Sequence, residues 1–212
     1  MRTWFVIGIF LLCASGLFAG YPPANLELVK GEFLVATEKL RDSAFNQTVV
    51  LISEYDAKKG SFGLVINDPT NVSLSEGFPE ISELKRVNEH IYLGGPMERS
   101  KVFLLIRAAQ QPQESVRLFD HVFFSMSQKV LEEHAPVSGA GESVRVFAGY
   151  SGWGAGQLET EIKSGHWAVW KADAEMIFDK PAKEIWPEMN RRVSIIQASL
   201  PQRMQNFPHP LR

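Results

Sequence analysis

The densest group of residues able to hold a ligand is Gly149-Tyr150-Ser151-Gly152-Trp153-Gly154-Ala155-Gly156-Gln157. Its glycines stand between a strand-like run, Val144–Ala148, and a helix-like run that begins at Leu158. Strand, glycine-rich turn and helix start together form the geometry in which backbone N–H groups face an anion. No named motif is complete. A phosphate-binding P-loop needs lysine after its last glycine, and Ala155 follows Gly154. The dinucleotide fingerprint needs Gly-x-Gly-x-x-Gly, whereas Gly152, Gly154 and Gly156 alternate with single residues. A nucleophile elbow around Ser151 requires glycine where Trp153 stands. Glu159 and Glu161 would repel a phosphate at the helix start while suiting the helix dipole. The structural alternative is a tight turn whose glycines admit positive φ and close packing of Trp153. Without a complete motif, that alternative carries more weight.

Other chemistry-bearing residues are scattered. Asn67-Asp68-Pro69 and Gly94-Gly95-Pro96 are sharp turns, and Asp42 precedes a strand-like run as a turn cap or a site residue. His90, His121, His134, His166 and His209 are never three to five residues apart, so paired helical metal ligands are absent from the pattern and no metal is expected. Glu159 and Glu161 diverge on a helix and cannot form an acid–base pair with each other. Lys58-Lys59 and Arg191-Arg192 are isolated pairs, not a basic stripe interleaved with aromatics.

These residues must be positioned by short strands. Glu32–Ala36, Thr48–Ser53, Phe62–Asn67, His90–Leu93, Val102–Arg107, His121–Ser125, Ser143–Ala148 and Trp167–Trp170 are rich in Val, Ile and Phe, and turn residues such as Gly, Pro, Asn and Asp punctuate the chain between them. Helical pattern is scarcer: Ser127–His134, Gln157–Ser164, Asp173–Phe178 and Lys183–Gln197, with Ser127 and Asp173 as N-caps. Many strands with interspersed helices predict a mixed α/β or α+β sheet in one domain. The proline-bearing end, residues 193–212, reads as a tail.

The ends and the composition bound the function. Trp4–Ala14 is an apolar run after Arg2, followed by small residues and Tyr21-Pro22-Pro23. This is the layout of a secretory signal peptide over residues 1–19, with 20–27 as a linker. The expected location is periplasmic or secreted, with membrane contact only through 1–19 if they stay uncleaved; the alternative is a membrane-anchored chain. Cys13 is the single cysteine and lies in that segment, so removal of the leader also removes disulfides and thiol chemistry. The 212-residue chain is 45% hydrophobic and 22% charged, with 22 Lys+Arg against 24 Asp+Glu and a formal charge of −2. That balance disfavours disorder and a nucleic-acid partner.

The ordered blocks Phe33-Leu34-Val35-Ala36-Thr37, Leu40-Arg41-Asp42, Gly63-Leu64-Val65-Ile66-Asn67, Tyr92-Leu93-Gly94-Gly95-Pro96, Arg145-Val146-Phe147 and Gly149–Ile162 resemble the bacterial AlgH/YqgE family, also called UPF0301 or DUF179. The resemblance spans residues 28–192. It implies an α/β domain with a bifurcated, mostly mixed β-sheet that forms a pseudo-barrel flanked by short helices. Family members carry the label of transcriptional regulator and generally look cytoplasmic, which makes the cytoplasm a further alternative location for this chain, and the resemblance implies no established activity. Asp68 departs from the family pattern, which has arginine there. Three readings follow. The favoured one is a non-enzymatic accessory module for a small ligand or protein, using Asp42, Asn67, Gly94, Gly95, Gly152, Trp153, Gly154 and Gln157 in one groove. The alternatives are the regulator of the family label and a hydrolase-like enzyme using Asp42, Ser151 or Glu159. No catalytic residue and no cofactor is assigned.

Overall fold

A computed structural model describes residues 28–135 and 141–199; the expected leader, the linker up to residue 27 and residues 200–212 of the tail lie outside them. Among the described residues the strands are β1 (Glu32–Ala36), β2 (Val49–Asp56), β3 (Gly60–Val65), β4 (Pro69–Ser73), β5 (His90–Leu93), β6 (Met97–Arg107), β7 (Ser115–Phe119), β8 (Val122–Ser125), β9 (Ser143–Trp153) and β10 (Trp167–Lys171). The helices are α1 (Leu74–Gly77), α2 (Gln128–His134), α3 (Gln157–Lys163), α4 (Ala174–Phe178) and α5 (Ala182–Ser199). The fold is mixed α+β, with a strongly curled, largely antiparallel sheet and a few short helices.

β9 is the strand on which the sheet divides. Antiparallel β6 lies along one side, pairing Val102–Arg107 with Ala148–Ser143. On the other side β9 first meets β5 in parallel, at Val146–Ala148, and then β3 antiparallel, at Ser151–Trp153. The path β10-β1-β2-β3-β9-β6-β8-β7 therefore carries β5 and β4 as a branch. Curling brings the far end round: a Cβ on Gly31, just before β1, would meet the Leu118 carbonyl of β7 at 3.0 Å.

Alternation along the strands distributes the core to both faces. Phe33 and Val35 of β1 pack with Leu105, Phe147 and the α4–α5 side chains Met176, Ile177, Ile185 and Met189. Leu34 and Ala36 face the opposite way, against Trp153, Leu158 and Trp167. A further cluster joins Leu104, Ile106, Val144 and Val146 to α1 and α2. Each fully buried Leu, Ile or Phe contributes roughly 1.5–3 kcal/mol to this arrangement.

Several sequence expectations need adjustment. Asp173 caps α4 as expected, its Oδ1 accepting the Met176 N–H at 2.8 Å. Ser127 precedes α2 but its hydroxyl makes no cap bond; its N–H donates to Ser125 Oγ. β4 and β7 form where no strand was expected. α5 runs past residue 192, and Val193 is buried in the core, so the fold does not stop at that boundary.

The candidate binding cleft

The glycine block is mostly strand. β9 continues through Trp153, because Phe62 pairs with Gly152 and Ser61 with Trp153. The turn is confined to Gly154–Gly156, and Gly156 takes φ 70°, a left-handed conformation that favours glycine. Several of its backbone groups are satisfied internally. The Gly154 N–H donates to Gln157 Oε1 at 3.0 Å, the Gln157 N–H donates to the Gly154 carbonyl at 3.1 Å, and Thr160 Oγ1 donates to the Gly156 carbonyl. The block is thus strand followed by a tight turn, the alternative that carried more weight than an anion cradle.

Gln157 extends this arrangement by donating Nε2 to Glu161 Oε1 at 2.9 Å. The other oxygen, Glu161 Oε2, accepts both indole N–H groups, from Trp153 at 2.9 Å and from Trp167 at 2.8 Å. Phe45 packs on both indoles, with ring centroids at 6.3 and 5.3 Å. Two residues earlier on α3, Glu159 accepts the Tyr55 hydroxyl at 2.7 Å. Burial first, then the Glu159 carboxylate, pushes that phenol up to about 12. The two glutamates do diverge, each serving a different neighbour.

Ser151 is fully buried, and its hydroxyl donates to the Gly94 carbonyl at 3.2 Å. The same carbonyl accepts the Val65 N–H. Asn67 closes a neighbouring turn: its Oδ1 accepts the Val49 N–H at 2.8 Å and its Nδ2 donates to the Gln47 carbonyl at 2.9 Å. Gly95 lies so close to β9 that a Cβ would sit 2.3 Å from the Tyr150 carbonyl carbon.

The eight residues expected to share one groove are divided. Gly152, Trp153, Gly154 and Gln157 line an open cleft of about 650 Å³. Gly95 lines a separate crevice of about 80 Å³ with Phe45, Asp68 and Arg99, room for only a few waters. Asp42 is exposed, and neither it nor Asn67 nor Gly94 lines the cleft or the crevice.

The cleft brings in residues that sequence reasoning missed. Its floor is aromatic: Tyr150 meets Phe62 and Phe103 edge-on, with centroids at 5.8 and 5.7 Å. Gly152 leaves space for this floor, since a Cβ there would lie 2.9 Å from Met97 Sδ and 3.0 Å from the Tyr150 ring. Met97 and Met126 line the cleft at 42% and 56% exposure. Lys59 and Lys101 supply cations, with Lys101 Nζ 2.6 Å from Glu98. That hydrogen bond raises the Lys101 pKa and keeps the ammonium charged. Three strands far apart in sequence build this surface, so local pattern gave no signal for it.

A family model described as AlgH-like, DUF179, matches residues 33–198. A UPF0301 protein of Marinomonas sp. is 35% identical over 164 residues, covering 75% of this chain and 86% of its own. A UPF0301 protein of Photobacterium profundum is 33% identical over 180 residues, covering 79% and 93%. The solution structure of the AlgH protein from Pseudomonas aeruginosa superposes with a TM-score of 0.63 at 26% identity, covering 89% of this chain and 99% of that one. A crystal structure of a Corynebacterium diphtheriae protein gives a TM-score of 0.67 at 26% identity, covering 79% and 88%. With the forked, curled sheet and the Gly149–Ile162 block in place, the chain belongs to the AlgH-like DUF179 (UPF0301) family.

Proposed function

We propose that this family member is a non-catalytic binding module and that the cleft over Gly152 is its binding site. The observation that carries this reading is an open aromatic–methionine cleft of about 650 Å³ at whose surface stand Met97 and Met126, the exposed methionines among the described residues. Its volume falls in the range of roughly 300–1,000 Å³ typical of small-molecule sites. Methionine thioethers adapt their shape to different apolar partners, which suits a recognition surface. The groups weighed for hydrolysis are occupied by the fold. The Ser151 hydroxyl is buried against Gly94, and Glu159 holds Tyr55. Asp42 lies outside the cleft.

A thermal-shift screen of small amphiphilic and aromatic compounds tests the reading. Binders should stabilise the wild-type chain and lose most of that stabilisation in Met126→Asp, a change at an exposed position. Binders that stabilise the variant just as well place the site elsewhere.

A further inference from the structure

We propose that the cleft's occupant is an acidic peptide segment of a partner protein, which passes over the Lys101–Met126 ridge into a second hollow. This rests on the reading of the cleft as the binding site. The second hollow, of about 290 Å³, is lined by Phe78, Val102, Leu104 and Leu131 and shares Lys101 and Met126 with the cleft. Val102 and Leu104 alternate with Phe103 along β6, so the two hollows lie on opposite faces of that strand and meet at the ridge. A compact molecule fills one hollow and leaves the other wet. An extended chain crossing the ridge can put an apolar side chain into each.

Both hollows are open, and a small ligand reaches useful affinity mainly by burying most of its surface. A peptide gains instead by distributing contacts and by adding main-chain hydrogen bonds. The ladder between β6 and β9 shifts register between Met97 and Val102, so the intervening stretch stands out along the ridge with Glu98 at φ 43°. Charge selects the sign of the partner. Lys59 and Lys101 line the cleft and exposed Lys58 precedes Lys59 in the β2–β3 turn, three cations against Asp56 and Glu98, on a chain whose formal charge is −2. Lys59 Nζ is 3.8 Å from Asp56 with its side chain 86% exposed, a weak pair that a partner carboxylate can displace.

The test selects random linear peptides of about a dozen residues on the full chain, then titrates resynthesised winners beside laurate as a small amphiphilic probe. Winners should combine Asp or Glu with spaced apolar residues, and their affinity should fall as salt rises. Lys59→Glu should weaken them about tenfold or more, a loss of about 1.4 kcal/mol. Gln128→Trp fills the second hollow from an exposed helix position. It should weaken the peptides similarly and leave laurate binding unchanged. Peptides lost in Met126→Asp but indifferent to Gln128→Trp would overturn the path across the ridge while leaving the cleft as the site. Peptides indifferent to both would remove the cleft itself. Laurate binding at the cleft with no peptide enriched would overturn the peptide as occupant.

Discussion

Glu161 accepts the indole N–H of Trp153 at 2.9 Å, and this bond explains much of the most distinctive block in the sequence. The same oxygen also accepts Trp167, which ties the end of β9 to the start of β10 through α3. Trp153 and Trp167 are only 6% and 2% exposed, so neither indole can turn to water for a replacement acceptor. Glu161→Ala should therefore destabilise the fold by about 2–4 kcal/mol, because two buried donors lose their partner. Glu161→Gln keeps one acceptor and should cost about half as much. Urea denaturation checks both values; an alanine variant as stable as wild type would show that the bonds are dispensable.

Gly95 and Gly154 offer a contrast within one motif class. At Gly95, φ is 153° and a Cβ would stand 2.4 Å from Ser151 Oγ as well as against the Tyr150 backbone. Gly95→Ala should destabilise by about 3 kcal/mol or more, since backbone must move. At Gly154 the nearest atom to a Cβ is Gln157 Oε1 at 3.8 Å. Gly154→Ala should stay within about 0.5 kcal/mol of wild type in the same denaturation experiment.

Tyr55 makes stability depend on alkaline pH. Its folded pKa, pushed up to about 12 by burial and by Glu159, lies above the ordinary value of 10.0. The raised value means that the protonated phenol is favoured by folding. Its contribution is complete below pH 10 and is lost as pH rises toward 12. Tyr92, also raised by burial, adds a background of the same sign. Unfolding free energy measured across that interval should fall less steeply in Tyr55→Phe than in wild type, and identical slopes would contradict the assignment.

Arg107 and Asp179 fasten α4 to β6. Two guanidinium nitrogens donate to the two carboxylate oxygens at 2.6 and 2.8 Å. The Arg107 hydrogen bonds hold the Asp179 carboxyl below its ordinary 3.8. A lowered value stabilises the fold above the unfolded pKa and is lost as pH falls below about that value. With Asp179 half-exposed, Asp179→Asn should cost about 1 kcal/mol at neutral pH, a difference that shrinks toward zero in acid as the wild-type carboxylate is protonated. Parallel acid titrations of wild type and variant measure the difference.

The apolar run Trp4–Ala14 predicts export with loss of residues 1–19. Intact mass of the chain recovered from each cell fraction checks it: a shortened chain outside the cytosol agrees, and a full-length cytosolic chain contradicts it.

The elements were more legible than the site. Runs such as Phe33–Ala36 and Leu104–Ile106 announce themselves because β-branched and aromatic residues are packed on both faces. β7 is five residues long and interrupts Val116, Leu118 and Phe119 with Ser115 and Arg117, and β4 opens on Pro69 with Thr70 and Asn71, so neither stood out as a strand. The glycine block read as a turn because a local pattern cannot reveal that Phe62 lies beside Gly152. For the same reason spacing could not show that Trp153 and Gln157, which line the cleft, are both held by Glu161. Phe62, Phe103 and Tyr150 meet only because the sheet forks at β9, a relationship with no trace in sequence spacing.

The cleft is the central claim, and methionine reports on it directly. Met97 and Met126 line it and are exposed, whereas Met176 and Met189 are 1% and 0% exposed in the core beneath α4 and α5. Isotope-labelled methionine methyl groups can be followed by NMR while selected peptides or screened compounds are titrated into the folded chain. The account predicts saturable shifts of the Met97 and Met126 methyls, with Met176 and Met189 nearly unmoved. Saturable binding that leaves both cleft methyls in place would contradict it.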